Sequence, residues 1–302
     1  MNWKKNLTIF VVLGLVLLGT LAISGCTEQD DDGDDVLTKP ITVVERKEGS
    51  GTRETFMNGI GLDSVQSDVK KGENAGVKET VVNSDNAIGY VGLGYISDDA
   101  PAIKLDGVMP TEETVGNGEY GITRALHMYT DGEPKSGSIT SEFLRYIMSE
   151  EGQNIVSEEG FVKVAPNAGP YVKVSGLSGE ITVTGSSTVL PIAQAAAEDF
   201  NGLYDNVNVQ VSGGGSGHGI TALAEGNAQI GMASREVKQE EIDQYPNTDF
   251  YDNPDGVDSG IGRGGVAVIV SKAVYDAGIT ELTKDEVKQI YSGEISTWSE
   301  LE

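Results

Sequence analysis

Apolar residues fall in short runs broken by glycine, serine and threonine, and two spacings alternate along the chain. Ile41-Thr42-Val43-Val44 is wholly β-branched and predicts a strand. Gly49-Ser50-Gly51 follows, then a helical stretch from about Thr52 to Ile60. Ala87 to Val91 predicts a buried strand. Phe143, Leu144, Ile147, Met148, Ile155 and Val156 recur at helical spacing, so one helix is predicted over 142–156. The pattern breaks between 165 and 180, where Pro166, Gly169, Pro170, Gly176 and Gly179 predict a loop or linker. Beyond it come a strand at Ile181–Thr184 and a helix from Pro191 to about Phe200. A strand at Val207–Val211, a helix ending near Leu223 and a strand at Gln229–Ala233 follow. Val266–Val270 is continuously apolar, as in a strand covered on both faces. Thr283 opens a last helix with a capping-box pattern. Strands alternating with helices predict an α/β architecture with mostly parallel sheets.

Three junctions repeat one design of strand, Gly/Ser/Thr loop and helix start. They are Gly185-Ser186-Ser187-Thr188, Gly215-Ser216-Gly217 and Gly49-Ser50-Gly51-Thr52. A helix start offers free backbone N–H groups and partial positive charge. Glycine allows close backbone approach, and hydroxyls add donors. Such loops suit a compact anion. Arg46, just before the third of these loops, and Arg235, after the second, are nearby cations, and a guanidinium can donate two parallel bonds to an oxyanion.

The N-terminus has another pattern. Lys4 and Lys5 precede an uncharged apolar run ending in Ser24-Gly25-Cys26. This is a secretory signal, expected over 1–26, and its end is similar to a lipobox with Cys26 as the lipidated residue. An uncleaved membrane anchor is the alternative. Either places the body outside the cytoplasm, on the outer face of the cell membrane. Residues 27–39, rich in aspartate, predict an extended acidic linker.

Composition narrows the chemistry. The 302 residues hold 21 Lys+Arg against 47 Asp+Glu, a formal net charge of −26 at pH 7. That balance argues against nucleic acid as a partner. One cysteine and two histidines leave no basis for a disulfide framework or a Cys- or His-rich metal centre, and no cofactor is expected. No Walker motif or Gly-x-Ser-x-Gly elbow supports hydrolysis, so no catalytic residue is assigned. His127 reads as a packed strand histidine.

Four segments together carry a resemblance. Ile181 to Pro191, Gly213-Gly214-Gly215-Ser216-Gly217, Gly231-Met232-Ala233-Ser234-Arg235 and Arg46-Lys47-Glu48-Gly49-Ser50-Gly51-Thr52-Arg53 resemble the signature loops of the phosphate-binding proteins that serve ABC-type phosphate transporters. In that family the Gly-Ser-Ser-Thr loop comes first. Here the order is reversed, so the chain resembles a circularly permuted member joined through 166–179. A fused fragment or a truncated tandem copy is the alternative.

The resemblance implies a two-lobed α/β fold of the periplasmic-binding-protein type, the type II Venus flytrap, circularly permuted. It implies a continuous lobe over 119–262 and a split lobe over 38–118 plus 263–302. Phosphate would be bound by Ser187, Thr188, Val189, Ser216, Ser234 and Arg235 from the first, and by Arg46, Ser50, Gly51 and Thr52 from the second. The implied protein is a monomer that delivers phosphate to permease subunits and catalyses nothing. A non-transporting oxyanion sensor or adhesion protein on the same fold is the alternative. Some relatives carry an aspartate that accepts the proton of hydrogen phosphate. Arg235 stands at that place here, leaving Glu48 or Glu236 as candidate acceptors.

Overall fold

A computed structural model describes residues 36–252 and 260–301. The expected signal, Cys26 and most of the acidic linker lie outside the described residues. Among the described residues no helix is long and apolar enough to cross a membrane.

The strands are β1 (Thr42–Arg46), β2 (Val69–Lys71), β3 (Ala87–Gly92), β4 (Lys104–Leu105), β5 (Thr123–Asp131), β6 (Gly179–Gly185), β7 (Val207–Gly213), β8 (Ile230–Ala233), β9 (Phe250–Tyr251), β10 (Gly262–Val270) and β11 (Glu281–Leu282). The helices are α1 (Gly51–Ile60), α2 (Asn74–Val82), α3 (Glu112–Gly116), α4 (Ile139–Ile147), α5 (Glu150–Glu158), α6 (Leu190–Leu203), α7 (Ser216–Ala224), α8 (Gln239–Gln244), α9 (Lys272–Asp276) and α10 (Lys284–Ser292).

The main sheet runs β2-β1-β3-β10-β5-β8-β6-β7, with β9 on β5, and β11 pairs separately with β4. Its two flanks are parallel: β1 with β2 and β3, and β6 with β7 and β8. Its centre is antiparallel, because β10 opposes both β3 and β5, and β5 opposes β8. The mostly parallel expectation therefore holds at the flanks and fails at the middle. Short strand–loop–helix repeats make parallel neighbours, whereas β5 and β10 are long strands that enter from distant parts of the chain.

Two apolar cores flank this centre. One gathers residues from Ile41 to Ile122 with Val266 to Trp298. The other gathers residues from Leu126 to Ile261. Along β5, Ile122 just before the strand belongs to the first core and Leu126 to the second. Strand β10 pairs its first half with β5 and its second half, Val266–Val270, with β3. All five residues of that second half are buried, as their unbroken apolar run predicts. The positions between Ile122 and Leu126 thus lie at the junction of the cores.

The single helix expected over 142–156 is two helices. Ser149 stops the first and caps the second, its hydroxyl accepting from the Gly152 N–H at 3.5 Å. A Cβ on Gly152 would come within 2.3 Å of the Tyr146 carbonyl oxygen, so this corner needs glycine. Apolar spacing alone cannot register such a break, because both helices face the same core.

Candidate functional site

The strand–loop–helix junctions meet between the two cores. Strand β1 ends at Arg46, a short loop follows, and Ser50 caps α1 by accepting from the Arg53 N–H at 3.3 Å. Thr52 therefore sits in the first turn of α1. Opposite, β6 ends at Gly185 and α6 starts at Leu190, with Ser187 and Thr188 between them. Strand β7 ends at Gly213, and Ser216 opens α7.

Arg46 is the hub, and only 1% of it is exposed. Its Nη1 donates to Asn74 Oδ1 at 2.8 Å and Thr52 Oγ1 at 3.2 Å. Its Nη2 donates to the Gly72 carbonyl at 2.7 Å and, from the other core, Ser187 Oγ at 3.1 Å. Its Nε also donates to Gly72. A second guanidinium, Arg124 on β5, meets the same hydroxyls. Its Nη2 lies 3.1 Å from Thr52 Oγ1 and 2.9 Å from Thr188 Oγ1. Thr52 Oγ1 and Thr188 Oγ1 are themselves 3.0 Å apart. Asn74 Nδ2 donates to Thr188 at 3.0 Å. Tyr95 braces the loop by donating to the Ser187 carbonyl at 2.6 Å.

Donors exceed acceptors in this cluster. Thr52 Oγ1 and Thr188 Oγ1 each meet two N–H donors and also share a hydrogen bond with each other. A hydroxyl oxygen has two lone pairs, so one of the pair is asked for more than it holds. Arg124 Nε and Nη1 are buried and have no hydrogen-bond partner. Burial pushes the Arg46 guanidinium down to about 10. Burial, and then the charge of Arg46, push Arg124 down to about 9. Two desolvated cations side by side are costly unless an anion joins them.

A second contact lies beside the first. Ser216 Oγ accepts from the Ser234 N–H at 3.1 Å, and the two hydroxyls are 3.5 Å apart. Gly51 packs against both: a Cβ there would lie 2.7 Å from either hydroxyl oxygen. The Gly217 N–H donates to the Gly49 carbonyl at 3.0 Å. The backbone of the α1 loop thus touches the start of α7 directly.

Of the ten anion-binding residues expected from sequence, Arg46, Thr52, Ser187 and Thr188 are brought into one hydrogen-bonded cluster. Gly51, Ser216 and Ser234 form the adjoining contact. Ser50 is buried as a helix cap, and the Val189 side chain lies in the second core, leaving only its backbone to face a ligand. Arg235 is placed differently. Its guanidinium grips Glu241 with bonds of 2.8 and 2.6 Å, and its Nε lies 3.4 Å from Glu54 of α1. Lys238 reaches the same Glu54 at 2.7 Å. Arg235 therefore belongs to a carboxylate-paired rim. Glu48 and Glu236, the candidate proton acceptors, are exposed. His127 packs on Tyr129 and pairs with Asp252 at 2.8 Å.

Arg124, Asn74 and Tyr95 were not expected. Arg124 had one signal, a cation directly before the strand-like stretch Ala125-Leu126-His127-Met128. Asn74 and Tyr95 sit in segments without a glycine-loop signature and had none.

A family profile described as a PBP superfamily domain matches residues 14–151 and 172–302. The phosphate-binding protein PstS 2 of Streptococcus agalactiae serotype V is 32% identical over 313 residues, covering 100% of this chain and 99% of that protein. PstS 2 of Streptococcus pneumoniae serotype 4 is 29% identical over 312 residues, with 100% of each covered. The crystal structure of a phosphate-binding protein of a phosphate ABC transporter from S. pneumoniae TIGR4 aligns with a TM-score of 0.65 at 29% identity, covering 87% of this chain and 100% of that one.

Proposed function

The chain belongs to the PBP superfamily, among the phosphate-binding proteins of ABC-type transporters, and we propose that it captures inorganic phosphate between its two cores and delivers it to a membrane permease. The observation that carries this is the donor excess around Arg46 and Arg124. Two buried guanidiniums and an amide aim donors at Thr52 Oγ1 and Thr188 Oγ1, which also bond each other, so the pair is asked for one lone pair more than it holds. A tetrahedral dianion would supply the missing lone pairs and the missing negative charge together.

Binding follows from the geometry. Arg46, Thr52 and Asn74 come with the first core, and Ser187 and Thr188 with the second. An anion seated between them is held by both sides. Closing the cores over it excludes water, which strengthens each charged hydrogen bond. Gly51, Ser216 and Ser234 set how closely the two sides approach. Opening releases the anion to the permease. Capture and release break no covalent bond, so the proposed role is not enzymatic.

The lobes we assign are 119–262 and 38–118 plus 263–302; they follow the two cores except that Tyr120 and Ile122, inside the first range, pack in the core of the second lobe. Circular permutation belongs to the same reading and has one support. The Ile41 N–H donates to the Ser296 carbonyl at 2.8 Å, and Pro40 bridges Thr297, so residues far apart in sequence adjoin where the family's chain would continue. Cys26 is the proposed lipid attachment, holding the body on the outer face of the membrane.

Calorimetric titration of the full chain, solubilised in mild detergent, tests the reading. One phosphate per chain with a saturable isotherm is expected. A folded chain that takes up no phosphate would overturn it.

A further inference from the structure

Arg124 is the feature of the cluster that the sequence motifs do not contain. It stands on β5 between Ile122 and Leu126, where the sheet passes from one core to the other, and its partner across the pair is Gly264. Gly92 of β3 lies beside it: a Cβ there would crowd the Thr188 methyl at 3.0 Å and meet Arg124 Nη2 in ordinary contact at 3.6 Å. Arg124 is 8% exposed, and two of its three nitrogens have no partner. The third reaches Thr52 and Thr188, the two threonines that join the cores.

We propose that Arg124 is a second anion-binding residue, and that with it the site accepts tetrahedral oxyanions as a class, sulfate as well as phosphate. This rests on the reading that the Arg46 cluster seats an anion. Rejecting sulfate requires an acceptor that meets the proton of hydrogen phosphate and repels the bare oxygen of sulfate. The cluster instead consists of guanidiniums, hydroxyls, an amide and the Gly72 carbonyl, which Arg46 already occupies. Among the described residues no carboxylate is hydrogen-bonded to Arg46, Arg124, Thr52, Asn74, Ser187 or Thr188. The neighbouring carboxylates are engaged or turned away. Glu45 is held by Arg53, Lys70 and Ser67. Glu54 and Glu241 are held by Arg235 and Lys238. Glu73 acts on Arg46 only through its charge, and its carboxylate lies against Gly213. Hydroxyls can donate to every oxygen of either dianion, so such a site reads charge and shape and leaves the proton unread.

The test is titration of the full chain in detergent with sodium phosphate and sodium sulfate, separately and in competition, on the wild type, Arg124→Gln and Arg124→Lys. Sulfate should bind within about tenfold of phosphate and displace it. Arg124→Gln should weaken both anions by about tenfold or more. Arg124→Lys keeps the charge but loses the fork, and should fall between. Circular dichroism confirms that each variant is folded, and the wild-type comparison stands even if a variant is not. Phosphate bound with sulfate unable to displace it at about a thousandfold excess would overturn the oxyanion-class proposal and leave the phosphate reading intact. Unchanged affinities in folded Arg124→Gln would overturn the role of Arg124. Sulfate bound without phosphate would overturn both the oxyanion-class proposal and the phosphate reading. A folded chain that binds neither would overturn both.

Discussion

Two groups of arginines lie between the same two cores and have opposite surroundings. Arg46 and Arg124 are buried among hydroxyls, an amide and a carbonyl, with no carboxylate hydrogen-bonded to them among the described residues. Arg235 is also buried, but it grips Glu241 in bidentate fashion and touches Glu54, which Lys238 also holds. The first group has cations without their counter-charge. The second has its counter-charge in place. In a chain with a net charge of −26, acidic partners are abundant, so a buried guanidinium pair left without one is a specific arrangement. The contrast separates a seat for an external anion from a rim that fastens the two sides together.

The contrast can be broken at several points. Arg46→Met should have the largest effect, lowering phosphate affinity by about 2–5 kcal/mol, or roughly thirtyfold to several thousandfold, in calorimetry. Arg124→Met should raise the stability of the phosphate-free chain by about 1–4 kcal/mol, read as a higher melting temperature, because an unpaired buried cation is replaced by an apolar side chain. The same substitution should shrink the upward melting shift that phosphate gives. Melting lowered in the absence of phosphate would mean that Arg124 is already compensated. Thr188→Val keeps the shape and removes a hydroxyl that joins the cores. It should weaken phosphate by about 1–1.5 kcal/mol, near tenfold. Glu54→Gln should have the smallest effect, about 1 kcal/mol or less, and should reduce the dependence of affinity on sodium chloride. A Glu54→Gln loss as large as that of Arg46→Met would erase the distinction between seat and rim.

Local sequence carried the loops and little of what lies between them. Ser50, Ser187, Thr188 and Ser216 occupy strand-to-helix junctions, where glycine spacing and hydroxyls are visible along the chain, and the structure puts them at the core boundary. Arg46 was legible because it ends a β-branched run and precedes such a loop. Arg124 was not, because its role depends on β5 passing between the cores, which is not local. Asn74 begins α2, far from any motif, and meets Thr188 only through the fold. Arg235 was legible as a cation at the end of β8 but not as one already paired with carboxylates. Glu241, six residues on, reaches back from α8 to take it, and Glu54 comes from the other core. The antiparallel centre of the sheet was hidden for the same reason as Arg124, since register between distant strands leaves no trace in local spacing.

The most direct test is a crystal structure of the chain grown with phosphate. The account predicts one phosphate between the cores, within hydrogen-bond distance of Arg46, Arg124, Thr52, Ser187 and Thr188, with Arg235 still paired to Glu241. Phosphate bound to Arg235 instead, with Arg46 and Arg124 still bonded only to the protein, would contradict it.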